Sequence, residues 1–157
     1  MRQTGPLDLA RYFPYLINRI GTIFVVNFTR EALHAEGLSI QMWRVLAALF
    51  NSGSQRQIDL AGMTSIEVST LSRAVARLAR RGLVTRARSQ EDSREMRVAL
   101  SGQGRMLVRR LIPVARAQEK QAIAGLRPGE LETARRVLRA MYANLAGKSQ
   151  ARAKQRR

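Results

Sequence analysis

Residues 54–100 read SQRQIDLAGMTSIEVSTLSRAVARLARRGLVTRARSQEDSREMRVAL: two short helical patterns, then two β-like runs bracketing a charged turn. The first helix is expected to open at Ser54, a good N-cap, to turn Ile58, Leu60 and Ala61 towards a core, and to stop between Gly62 and Thr64. The second is expected to start between Ser65 and Glu67, where Thr64-Ser65-Ile66-Glu67 also fits a capping box, and to reach about Arg81. Gly82 then supplies the residue that turns left-handed at a helix end. In this helix Val68, Leu71, Val75 and Leu78 recur at three, four and three, one apolar stripe expected in the core.

The opposite face carries Ser69, Thr70, Ser72, Arg73, Ala76, Arg77 and Arg80. Short hydrogen-bonding side chains near the helix start suit base edges, and arginines further along suit phosphates. A solvated helix face would show the same spacing. The only acids on the two helices are Asp59 and Glu67, however, so the arginines lack the i, i+4 partners such a face usually carries. Leu83 to Arg88 and Arg97 to Leu100 alternate as strands around the polar run Ser89 to Glu95. Arg86 and Arg88 share one strand face, while Asp92 and Arg94 fall in the loop. An arginine at a protruding tip suits a narrow minor groove, and Asp92 is placed to orient an arginine. The unit as a whole reads as a helix-turn-helix with a β-hairpin wing, built to lie on duplex DNA.

The ordered set Leu60-Ala61, Ser69-Thr70-Leu71-Ser72-Arg73, Leu78, Gly82-Leu83-Val84, Arg86, Asp92-Ser93-Arg94, Val98 to Ser101 and Gly104 resembles the winged-helix core of the MarR family of bacterial transcriptional regulators. Upstream, Gly37-Leu38-Ser39 with Gln41, Trp43, Val45 and Leu46 is similar to that family's helix before the motif, so the resemblance spans roughly residues 10–147. Glu95, after Arg94, departs from the basic or small residue many members carry there. The resemblance implies a mainly α fold with a small β-hairpin wing. Residues 38–101 would form the DNA-binding lobe, and 8–36 with 102–147 the helical dimerisation region. By position it makes Arg19, His34, Trp43 and Arg44 candidate contacts for a small aromatic or anionic effector. It further implies a cytoplasmic bacterial protein, nucleoid-associated when bound to DNA.

Composition agrees with a polyanionic partner. The 157 residues are 45% apolar, enough for a real core, and carry a formal net charge of +17. Residues 54–110 hold 12 arginines against 5 acids, a net of +7, so the reading unit shares the excess. All but Lys120, Lys148 and Lys154 of the basic residues are arginine, a bias that genome composition can also produce. With no cysteine there is no disulfide scaffold or thiolate metal site, and His34 alone cannot hold zinc. No stretch approaches the roughly 20 apolar residues of a membrane span, and the N-terminus has no signal-peptide pattern. No catalytic constellation or phosphate-binding glycine loop is present, so neither an enzyme nor a cofactor is expected.

Phe13, Leu16, Ile17, Ile20, Phe24 and Phe28 keep helical spacing towards a C-cap at Gly37, with Pro14 in the first turn. With Ile23, Val25 and Val26 this helix is apolar nearly all round, which points to a partner. Ser39 caps a helix to about Asn51, with Ile40, Trp43, Leu46 and Phe50 expected inward. Ser101 caps another, which Pro113 is expected to kink, ending near Gly125. Pro128 opens the last helix, where Leu131, Ala134, Leu138, Met141 and Leu145 form an a/d seam. Leu16, Ile20, Leu131, Leu138, Met141 and Leu145 are therefore the expected dimer contacts. Residues 148–157, basic and without an acid, are expected to be disordered. The expected function is sequence-specific regulation of transcription by a homodimer on a pseudo-palindromic operator, as a ligand-responsive repressor by resemblance. The alternative is an architectural nucleoid protein with little sequence choice. RNA binding lacks the exposed aromatics that single-stranded bases stack upon.

Overall fold

A proline in the first turn and a left-handed glycine past the last one delimit the opening helical segment, as the spacing predicts. In the computed structural model, which describes residues 6–88 and 96–155 and side chains over 6–87 and 96–146, α1 runs Phe13–Phe28 with Pro14 in its first turn. A π-helical turn, Thr29–Leu33, continues it, marked by the His34 N–H bonding the Thr29 carbonyl at 2.8 Å. Gly37 then adopts φ 58°. The remaining elements are α2 (Ile40–Ser52), β1 (Gln55–Arg56), α3 (Gln57–Thr64), α4 (Val68–Arg80), β2 (Val84–Arg88), β3 (Met96–Leu100), α5 (Gly102–Ala122) and α6 (Pro128–Gln155).

The molecule divides into two units, Met1–Gln118 and Glu119–Arg157. In the first unit Leu33, Val45, Leu46, Leu49, Leu60, Leu71, Val75, Leu78, Val98 and Val108 are fully buried, drawing π turn, α2, α3, α4, β3 and α5 onto one core. Each such side chain contributes roughly 1.5–3 kcal/mol relative to exposure. The three-stranded antiparallel sheet has the order β1-β3-β2, with Gln55 paired to Val98 and Val84 to Leu100.

Several expectations are corrected. Ser54 caps nothing: Gln55 and Arg56 extend along β3, and α3 opens after Arg56 without a side-chain cap. Ser54 instead accepts from Arg97, whose Nη2 reaches its carbonyl at 3.0 Å. Ile58 and Val68 are 60% and 48% exposed, because α3 and α4 meet the core through Leu60, Ala61, Leu71, Ala74, Val75 and Leu78. On α2 the inward face is Met42, Val45, Leu46 and Leu49, leaving Ile40, Trp43 and Phe50 half-buried. In the second unit α6 continues past Gly147 to Gln155, where disorder was expected from residue 148. Lysine, glutamine, alanine and arginine sustain a helix once begun, and no proline stops it.

Local hydrogen bonds set the element boundaries. Ser65, at φ 53°, closes α3, and the Ile66 N–H reaches back to the Ala61 carbonyl at 3.3 Å. Ser101 joins wing to α5: its hydroxyl donates to the Gly82 carbonyl at 2.6 Å and accepts from the Gly104 N–H at 2.9 Å. At the start of α6 the Arg127 N–H and guanidinium both bond the Glu130 carboxylate, at 2.9 and 2.5 Å.

Candidate nucleic-acid interface

Glu67, not Ser65 or Thr64, caps α4. Its carboxylate accepts from the Ser69 and Thr70 N–H groups, at 3.0 and 3.2 Å, and from the Ser69 hydroxyl. These bonds, the Ser69 hydroxyl first, hold the Glu67 carboxyl below the usual carboxylate range. The cap fixes the first turn of the helix expected to read DNA. Beyond it Ser69, Ser72, Arg73, Arg77 and Arg80 are exposed and Thr70 is half-buried, so the face inferred from periodicity is one surface. Arg73 Nη2 donates to Thr70 Oγ1 at 3.2 Å, which leaves most of its fork available.

The arginines separate into two sets. Arg56 grips Asp59 through Nε and Nη2, at 2.6 and 3.0 Å, and depresses that carboxyl. Arg81 donates to the carbonyls of Gly37 and Glu36, at 2.9 and 2.7 Å, and Arg97 holds Ser54. All three stitch the lobe together. Among the described residues Arg77, Arg80 and Arg86 make no hydrogen bond or ion pair, so their charge is uncommitted. An open groove of about 720 Å³ runs between α4 and the start of α2, lined by Thr70, Arg73, Arg77 and Arg80, with Ser39 and Gln41 opposite and Arg86 from β2. Such a groove presents hydrogen-bonding and cationic groups together, the chemistry a nucleic-acid backbone requires.

Ser39 and Gln41 escaped the sequence reading as site residues, since Ser39 reads simply as an N-cap and does accept from the Met42 N–H at 3.2 Å. Arg88 ends β2, with its side chain outside the described residues, as are Asp92 and Arg94 altogether.

The four expected effector contacts do not converge. Trp43 and Arg44 border a pocket of about 290 Å³ with Phe24, Phe28, Ile40 and Gln118, and the Trp43 and Phe28 rings lie 5.1 Å apart. Gln118 is only 8% exposed, and its Nε2 donates to Glu31 at 3.0 Å, the main cause of that carboxyl's lowered pKa. Arg19 sits elsewhere on α1, its guanidinium 5.7 Å from the Tyr15 ring centre, beside a separate depression with Leu16 and Ile20. His34 is exposed and lines neither.

The MarR family profile matches residues 38–96, from the start of α2 into the wing. A MarR-family transcriptional regulator from Silicibacter pomeroyi is 36% identical, over 87% of this chain and 92% of that one, with a TM-score of 0.79. Bordetella bronchiseptica BpsR, whose DNA binding is regulated by 6-hydroxynicotinic acid, is 27% identical over 82% and 97% of the two chains, with a TM-score of 0.74. The HTH-type transcriptional repressor IacR of Pseudomonas putida is 28% identical over 134 residues, 85% of this chain and 80% of that protein.

Proposed function

We propose, from the premise that this chain belongs to the MarR family of transcriptional regulators, that it acts as a ligand-responsive repressor, binding a pseudo-palindromic operator as a homodimer. One observation carries the reading: α4 offers hydroxyl groups in a capped first turn and uncommitted Arg77 and Arg80 in later turns, with Arg86 alongside. Ser69, Thr70, Ser72 and Arg73 would meet base edges. Arg77, Arg86, Arg88 and the tip residue Arg94 would meet phosphates or the minor groove, with Asp92 orienting the tip.

Substitution separates these roles. Arg73→Ala is expected to cost roughly 1–3 kcal/mol on a selected operator and to relax preference at one base pair. Arg77→Ala is expected to weaken operator and random duplexes alike and to lower the salt slope by about one. Binding isotherms at three salt concentrations measure both. Equal losses on both DNAs in both variants would favour the architectural reading, which the net charge of +17 supports.

The pocket beside Trp43 suits the effector. Its aromatic and aliphatic lining accepts a ring, and Arg44 at its border suits a carboxylate. The BpsR precedent supports an aromatic acid, so that class is proposed here. Weakening operator binding a hundredfold requires about 2.7 kcal/mol of differential affinity between two dimer states. Titrating aromatic acids into an operator complex at fixed salt is expected to release DNA, and Arg44→Ala to raise the required concentration about tenfold. Release that is unchanged in Arg44→Ala would remove Arg44 from the effector site.

A further inference from the structure

Val68 and Ile58, which periodicity assigns to the core, are 48% and 60% exposed, and Val68 opens α4 itself. Half exposed, Val68 lies outside the buried core, and alanine would be the better helix former there. Successive helical residues are about 100° apart, so Val68, Ser72 and Ser69 follow one another around roughly 100° of the outer surface. An apolar side chain thus adjoins two hydroxyls on a helix whose later turns carry exposed Arg73, Arg77 and Arg80. That concentration of positive charge matches a polyanion better than a protein surface.

Ser69 narrows the ligand further. Its hydroxyl proton goes to the Glu67 carboxylate, leaving Oγ with lone pairs only. With its proton so engaged it accepts from an amine in preference to donating to the O6 or N7 of guanine. In the major groove the specific partner of an apolar group is the thymine methyl, and the amine donors are adenine N6 and cytosine N4. Only A·T offers both a methyl and an amine on that edge. We infer that the first turn of α4 reads an A·T pair, Val68 packing on the thymine methyl and Ser69 Oγ accepting from the adenine N6 amine. The inference rests on the operator-binding function proposed above and names the base pair that function requires.

The test begins by selecting an operator from a random duplex pool with the full chain. Affinity is then measured at fixed salt with uracil replacing each thymine in turn, which removes only the C5 methyl. At one thymine per half-site the wild type is expected to lose about fourfold, the equivalent of about 0.8 kcal/mol for one buried methyl. Val68→Ala, whose melting temperature is expected to match the wild type, should lose nothing at that position. Purine, which lacks the N6 amine, should weaken the wild type when it replaces the paired adenine and leave Ser69→Ala unmoved. An enriched operator indifferent to uracil at every thymine, or a uracil penalty undiminished in Val68→Ala, overturns this inference and leaves the regulator intact. A pool that enriches no sequence overturns both.

Discussion

Replacing Leu138 and Met141 together by glutamate is expected to give a folded monomer whose operator affinity falls by roughly 10²–10⁴, the avidity lost when two linked half-site contacts become one. The expectation comes from α6, where Leu131, Val137 and Met141 are only half-buried and Leu138 is 47% exposed, although they share a stripe of helical spacing. On α1, Ile17, Ile20, Ile23 and Val26 are likewise exposed. Two apolar helix surfaces of this extent suit a second copy of the chain. Four carboxylates placed in such a contact, two from each copy, would carry a desolvation cost that the apolar stripe they replace does not. Neither substituted residue belongs to α4, so a half-site should still be contacted at non-specific strength. Sedimentation at micromolar concentration and operator isotherms measure the two effects. A dimer that persists with unchanged affinity would refute the assignment of Leu138 and Met141 to the interface.

Gly104→Ala is expected to destabilise the first unit by about 3 kcal/mol, at the upper end for overpacking a tight site. A Cβ built on Gly104 would lie 2.0 Å from the Leu83 carbonyl oxygen and 3.0 Å from its carbon. That oxygen already accepts from the Ser101 N–H at 3.1 Å, and Ser101 bonds both Gly82 and Gly104. The start of α5 is thereby pinned to the entry of β2, and no flexible side-chain end can yield. Thermal melting is expected to fall by roughly 6–12 °C for a chain of this size. Gly102→Ala, two residues earlier with nothing within 4 Å of its Cβ, should match or slightly exceed the wild type. A Gly104→Ala protein that melts with the wild type would show that β2 and α5 can separate at little cost.

The distribution of what could be read from the amino acids follows from how local each determinant is. The winged lobe was legible because Leu71, Val75 and Leu78 keep a helical period and Gly82 follows at once with φ 67°. Pro14, Ser101 and Pro128 marked their helices through chemistry confined to one turn. Strand β1 was not legible, since two residues carry no period and their pairing to Val98 and Arg97 spans over forty positions. Nor was the solvent-facing placement of Val68. It extends the stripe of Leu71 and Val75 by spacing, but it is the first residue of α4, where its side chain is 48% exposed. At the interface the arginines were countable but not sortable. Arg81 and Arg97 are bound to carbonyls 43 to 45 residues away, whereas Arg77 and Arg80 point to no partner among the described residues. Arg19, His34, Trp43 and Arg44 were grouped by position along two helices, and only Trp43 and Arg44 share a pocket.

The widened turn at Thr29–Leu33 carries one residue more per hydrogen-bonded ring than the helix before it. One residue corresponds to about 100° about the axis. Leu33 is fully buried and fixed, so deleting a single residue here would spin all of α1 by that amount with every upstream side chain unaltered. The azimuth at which Ile20 and Ile23 face outward is thus encoded in chain length at this turn. Related proteins that lose or gain one residue there would re-aim the whole arm in a single mutational step.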